Sequence, residues 1–174
     1  MSDNDETVVE ISVPESEVSA RADAVLDWLL AIGVVVPNPS PGPAYLPGPE
    51  AASRTTTETV IDLLWNTGVT VITDRMVFDS AQNVTPPDCP ACTVRLGIDH
   101  YIDQMTPWLL SGEPTVGCPA CGHAALLGDW PGTWTCQVGN LGVRFTNWPP
   151  LRDDFVGELG RRIGPRWRVV RAHR

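Results

Sequence analysis

One tetrapeptide occurs twice in this chain. Cys89-Pro90-Ala91-Cys92 and Cys118-Pro119-Ala120-Cys121 are separated by 25 residues, and the repeat constrains the middle of the chain more than any hydrophobic pattern does. A Cys-x-x-Cys turn brings two sulfurs to one side of a tight loop. Two such knuckles supply four soft ligands, the set that tetrahedral zinc takes in structural sites. Gly122 follows the second pair and suits the left-handed turn that such loops need. Thr93 stands at the equivalent place after the first pair, which predicts a less regular knuckle there. The expectation is a structural Zn2+ on Cys89, Cys92, Cys118 and Cys121. A shell of four thiolates is closed, so it leaves no position for a catalytic water.

Three other readings compete with this one. Disulfides suit an oxidising compartment, whereas the acidic start MSDNDET lacks the basic and apolar stretches of a secretory signal. A Cys-Pro-x-Cys can be a redox pair, but two pairs in one region, away from a strand-to-helix start, fit that poorly. His123, two positions past Cys121, and Cys136, the fifth cysteine, are alternative ligands. His123 reads better as a neighbour of the site or an exposed residue, and Cys136 as a small core residue.

Outside this region the pattern is amphipathic helix, glycine stop, strand. Val18, Ala22, Val25, Leu26 and Leu29 are spaced for a helix, followed by Gly33 and a strand at Val34–Val36. Val60, Ile61, Leu63 and Leu64 precede Gly68 and a strand from Val69 in the same way, as a second similar unit. After Pro149-Pro150, Phe155, Leu159 and Ile163 form an apolar stripe, with Asp153 and Asp154 at the start and Arg161 and Arg162 at the end, matching the helix dipole. Gly164-Pro165 stops that helix, and a strand begins at Trp167. Residues 37–49 hold six prolines and read as a rigid extended surface connection that forms neither a helix nor a central strand. A helix over Ile98–Leu110, bent or limited by Pro107, fills the gap between knuckles.

The expected fold class is α+β: helix-then-strand units around a small sheet, with an inserted four-cysteine zinc-ribbon-like module. The expected division is an N-terminal half over 1–85, a zinc-binding module over 86–136, and a strand-helix-strand over 137–174. The whole plan resembles a bacterial family without an assigned activity. The resemblance rests on Tyr45-Leu46-Pro47-Gly48-Pro49, the two Cys-Pro-x-Cys pairs, Gly139-Asn140-Leu141-Gly142, Asn147-Trp148-Pro149-Pro150-Leu151 and the C-terminal helix and strand. It implies the zinc fold and carries no activity.

Charge narrows the function. The formal net charge is −9, which disfavours nucleic acid as the main partner, because phosphate binding is driven by cations. Eight acidic residues lie between Asp3 and Asp27, and six of the twelve cationic residues between Arg161 and Arg174. The two ends are therefore expected to meet. Every cation is arginine, as codon bias in a GC-rich bacterial genome would give. The terminal arginines read as a solvated helix face and cap ahead of a binding patch.

No phosphate-binding Gly-x-x-x-x-Gly-Lys loop or Gly-x-Ser-x-Gly elbow is present. Asp99, His100 and Asp103 could share a helix face as a hydrolytic or second metal site, but a solvated face is the stronger reading. Of the seven tryptophans, Trp130, Trp134 and Trp148 cluster near the second knuckle, as core or as interface anchors. The leading expectation is a non-catalytic, cytoplasmic zinc protein acting through a protein partner: an adaptor, inhibitor or immunity-type factor. The alternatives are a nucleic-acid-binding zinc ribbon using the C-terminal arginines, and an enzyme with a pocket the sequence does not reveal. No apolar run reaches the ~18–20 residues of a membrane span.

Overall fold

The computed structural model describes residues 4–57, 61, 64–80, 84–130 and 135–173. In chain order its elements are β1 (Asn4–Glu10), α1 (Glu15–Ala31), β2 (Val35–Pro37), β3 (Tyr45–Pro47), β4 (Gly68–Ile72) and β5 (Met76–Asp79). There follow α2 (Ile98–Leu110), β6 (Thr115–Gly117), β7 (Ala124–Leu126), β8 (Cys136–Gly139), β9 (Leu141–Thr146), α3 (Asp153–Ile163) and β10 (Trp167–His173). The fold is α+β. Six strands form one sheet in the order β10-β1-β9-β4-β3-β2, while β5 pairs with β8 and β6 with β7.

Strand β1 lies between β10 and β9, antiparallel to both. The acidic start and the basic end of the chain thus meet as neighbouring strands. Glu6 is directly opposite Arg171, and its Oε1 accepts from Arg171 Nη2 at 2.9 Å. Its Oε2 accepts the Leu151 N–H at 2.9 Å. Glu10, only 1% exposed, accepts the Arg166 N–H at 2.9 Å. Burial pushes the Glu10 carboxyl above its usual range, against the opposing pull of Arg166. A buried carboxylate without such partners would be strongly destabilising.

Alternation along the strands gives the sheet two apolar faces. On one face Val8, Val69, Leu141, Val143 and Phe145 pack against the inner sides of α1 and α3. The stripes are those the spacing predicts: Val18, Ala22, Val25 and Leu29 on α1, and Phe155, Leu159 and Ile163 on α3. On the other face Val9 and Val170 meet Phe78 of β5. Gly139 and Gly142 make room there, since a Cβ on Gly142 would come within 2.9 Å of the Phe78 ring.

Two expectations change. The proline-rich stretch contains β3, which stands between β2 and β4 in the sheet. It joins β4 through the single pair Tyr45–Val69, so prolines that would interrupt a longer ladder are tolerated. Gly48 lets this segment touch the turn after α1, where a Cβ would lie 2.3 Å from the Gly33 carbonyl oxygen. The second helix-strand unit has its strand, β4, but its expected helix falls largely on residues outside the described ones.

Candidate metal centre

Each Cys-Pro-Ala-Cys turn closes through the same two backbone bonds. Cys89 N–H donates to Val94 O at 2.9 Å and Thr93 N–H to Cys89 O at 2.8 Å. In the second knuckle Cys118 N–H donates to His123 O at 2.7 Å and Gly122 N–H to Cys118 O at 2.9 Å. The left-handed residue is Thr93 in one (φ 61°) and Gly122 in the other (φ 74°). The irregularity expected of the first knuckle is therefore absent from its path. It is present as strain, because a left-handed conformation costs a non-glycine residue about 1–2 kcal/mol. Thr93 Oγ1 offsets part of that by donating to Cys92 O at 2.7 Å. The stems differ too: β6 and β7 carry the second knuckle, while the first has the single bridge Asp88–Arg95.

The turns bring the four sulfurs together. All four lie within 4.8 Å of one another, with Cys89–Cys121 and Cys92–Cys118 each at 3.7 Å. A disulfide needs about 2.0 Å, and all five cysteines are free thiols. Cys89 and Cys118 face the core, Cys92 is half-buried and Cys121 exposed. Around Cys118, burial is outweighed by the N–H groups of Cys121 and Ala120, which hold the thiol down to about 7. At Cys92 the Val94 N–H favours the thiolate, but burial and the three neighbouring sulfurs push the thiol up to about 12. Four thiolates crowded together repel unless a cation sits among them. The cluster could hold a metal ion.

The sulfurs rest on a small core of Leu96, Tyr101, Met105, Trp108, Val116, Leu127 and Trp130, completed by Ile11 and Val138. Polar contacts fasten this region to the sheet. Arg166 bonds Glu113 at 2.7 and 2.8 Å, Asp129 at 2.7 Å and Ser12 Oγ at 2.8 Å. The buried Asn140 side chain accepts the Val13 N–H at 2.8 Å and donates to Val13 O at 2.6 Å. Trp108 Nε1 donates to Met76 O at 3.2 Å.

The other candidate residues fall elsewhere. Among the described residues neither His123 nor Cys136 joins the sulfur group. The His123 ring meets Trp130 edge-on at 6.0 Å. Cys136 is buried on β8, hydrogen-bonded to Tyr101, and burial pushes its thiol up to about 12. His100 Nε2 lies 3.2 Å from the Gly117 carbonyl oxygen, and among the described residues Asp99, His100 and Asp103 form no group that could hold a metal ion. Trp130 and Trp148 are core residues; Trp134 lies outside the described residues. Of the terminal arginines, Arg162, Arg166, Arg168 and Arg171 all make contacts within the fold.

Sequence reasoning missed two exposed features. Trp65 is 86% exposed, in a stretch whose apolar spacing suggested a helix. On α2, Ile98, Ile102 and Leu109 are 41%, 49% and 48% exposed, and Leu110 is 81% exposed. Helical spacing reveals a stripe but does not show whether anything covers it.

No family model, no curated protein and no solved structure matches this chain. Among the described residues no helix is long and apolar enough to cross a membrane.

Proposed function

We propose that the four cysteines hold a structural zinc ion, and that the protein is a non-catalytic interaction factor that meets a basic partner through α2. The adaptor, inhibitor and immunity-type roles share that mode of action. Zinc is supported by distance: a tetrahedron with ~2.3 Å metal–sulfur bonds has edges of about 3.8 Å, against 3.7 Å for Cys89–Cys121 and for Cys92–Cys118. The closed shell favours a structural ion over a Lewis-acid centre. Thiolate ligands fit a reducing compartment, hence the cytoplasm.

The observation that carries the interaction reading is the uncovered face of α2. Ile98, Ile102 and Leu109 fall within roughly 40° of one another around the helix at 3.6 residues per turn. The adjoining side, centred roughly 70° further round, carries Tyr101, Met105 and Trp108 and is packed inward. Isolated exposed leucines are ordinary, whereas an apolar stripe along one element marks a contact surface. The exposed carboxylates Asp99 and Asp103 border it on its solvent side, and with the net charge of −9 they favour an amphipathic partner segment bearing Lys or Arg. The nucleic-acid reading of the C-terminal arginines as a whole draws less support, because Arg166, Arg168 and Arg171 already have distant partners inside the fold.

The test compares the zinc-loaded protein with an Ile102→Glu/Leu109→Glu variant. Both should carry one zinc per chain and give the same far-ultraviolet circular dichroism. The parent should retain basic amphipathic peptides that the variant releases, more strongly at low salt. Equal retention by both proteins would remove α2 from the reading. Zinc-free, fully folded protein after purification under reducing conditions would remove the metal.

A further inference from the structure

We infer that the cleft where α3 hands over to β10 is a site for a phosphate group carried on a flat ring. Arg21 of α1, Arg161 and Arg162 of α3, Gly164, Pro165 and Trp167 surround an opening of about 550 Å³. Three of the twelve arginines of an acidic chain converge there. Planar guanidinium groups offer phosphate oxygens paired donors that a single ammonium cannot.

The competing internal charges are weakly held. Arg21 pairs with Glu17 at 2.7 Å and Arg162 with Glu158 at 3.1 Å, both one helical turn apart. Both pairs are partly open to water, where such contacts contribute little and exchange readily. Arg161 is exposed and makes no ion pair among the described residues. Arg162 is positioned by the Trp28 ring, with its guanidinium carbon 4.3 Å from the ring centre. The carbonyl end of α3 repels anions with about half an elementary charge. Arg21 Nη1 faces one of those carbonyls, Ile163 O, at 3.4 Å, and the buried Glu10 carboxylate lies beside Gly164 in the field of Arg21. The charge an anion meets first is therefore that of Arg161, joined by Arg21 and Arg162 as their surface pairs exchange.

The ring preference comes from Trp167. Its indole lies against the helix at Gly160, where a Cβ would come within 2.2 Å of Cδ2. One ring face is thereby occupied by the protein, and the half-buried remainder forms a wall of the cleft. Nucleobases stack on such surfaces whatever their identity. A mononucleotide matches both parts, with phosphate on the arginines and base on the indole. The same chemistry is presented by a free nucleotide and by the terminal nucleotide of a strand.

The experiment is an NMR titration of the zinc-loaded full chain. It follows the Trp167 indole N–H, assigned by its loss in Trp167→Phe. The probes are inorganic phosphate, adenosine, adenosine monophosphate and a 5′-phosphorylated single-stranded oligonucleotide. Adenosine monophosphate should give a saturable shift and bind more tightly than phosphate or adenosine alone. Arg161→Glu should weaken it by about tenfold or more, and the milder Arg161→Gln by less, in the order of charge removed. Arg161 is exposed and has no ion pair to lose, so both variants should fold. The oligonucleotide binding more tightly than the mononucleotide would assign the site to strand ends, and the reverse order to free nucleotides. The inference is overturned if no probe gives a saturable Trp167 shift by roughly 10 mM, or if both Arg161 variants bind like the parent.

Discussion

The two faces of the main sheet are covered by different means. On one, two amphipathic helices seal a continuous aliphatic and aromatic core from Val8 to Ile163. On the other, Phe78 of β5 packs on Val9 and Val170, and β8, paired with β5, contributes Cys136 and Val138 to a separate smaller core that contains two of the four clustered sulfurs. Hydrophobic burial, at roughly 25 cal/mol per Å² of apolar surface, stabilises the first face without help. The second is held by side-chain bonds to the backbone, by the Arg166 ion pairs and, on the reading given above, by a metal ion. Periodic sequence builds the one; specific donors and ligands build the other.

The sharpest way to break this contrast is to remove the metal. Chelation should remove on the order of 10–16 kcal/mol of binding free energy, and Cys118→Ser, which leaves three of the four sulfurs, a part of it. Hydrogen exchange would then show amides of residues 88–130 losing protection while those of α1 and α3 keep theirs. Parallel loss on both faces would mean that they unfold as one unit. On the helix face, Leu159 is fully buried, and Leu159→Ala should cost about 2–5 kcal/mol in denaturant melts, with zinc stoichiometry unchanged. Asn140→Ala cuts both bonds to Val13 and leaves its buried N–H and C=O without that partner, so it should cost about 1–3 kcal/mol. The smallest effect separates the knuckles. Thr93→Gly relieves the left-handed strain but loses the Thr93 hydroxyl bond and gains unfolded-state entropy, so these nearly cancel and stability should change by less than about 1 kcal/mol. Gly122→Ala has no such compensation and should lower the melting temperature.

What the sequence disclosed follows the same division. The helix over Ile98–Leu110, the stripes of α1 and α3 and the two cysteine turns are local patterns, readable within a dozen residues. The central strand β1 was not readable as one. Asn4–Glu10 is rich in acids, and the partners that let Glu6 and Glu10 be buried, Arg171 and Arg166, lie more than 150 positions away. The meeting of the two ends was legible from charge, though its form as paired strands was not. Thr93 offered no warning of a left-handed turn, since only comparison with Gly122 in the folded knuckle reveals it. The cleft of Arg21 and Arg161 joins two helices distant in sequence, and nothing local announces that.

The placement of β1 also sets an order of events during synthesis. Strand β1 finds both of its neighbours, β9 and β10, only within residues 141–173. It must therefore wait unpaired until those residues leave the ribosome. The cysteine turns are complete long before, with all four clustered cysteines present by residue 121. Local closures of this kind are fast and distant ones slow. The middle of the molecule should thus organise first and the largest sheet last, so a nascent chain arrested before residue 141 should carry formed knuckles beside an exposed Val8-Val9.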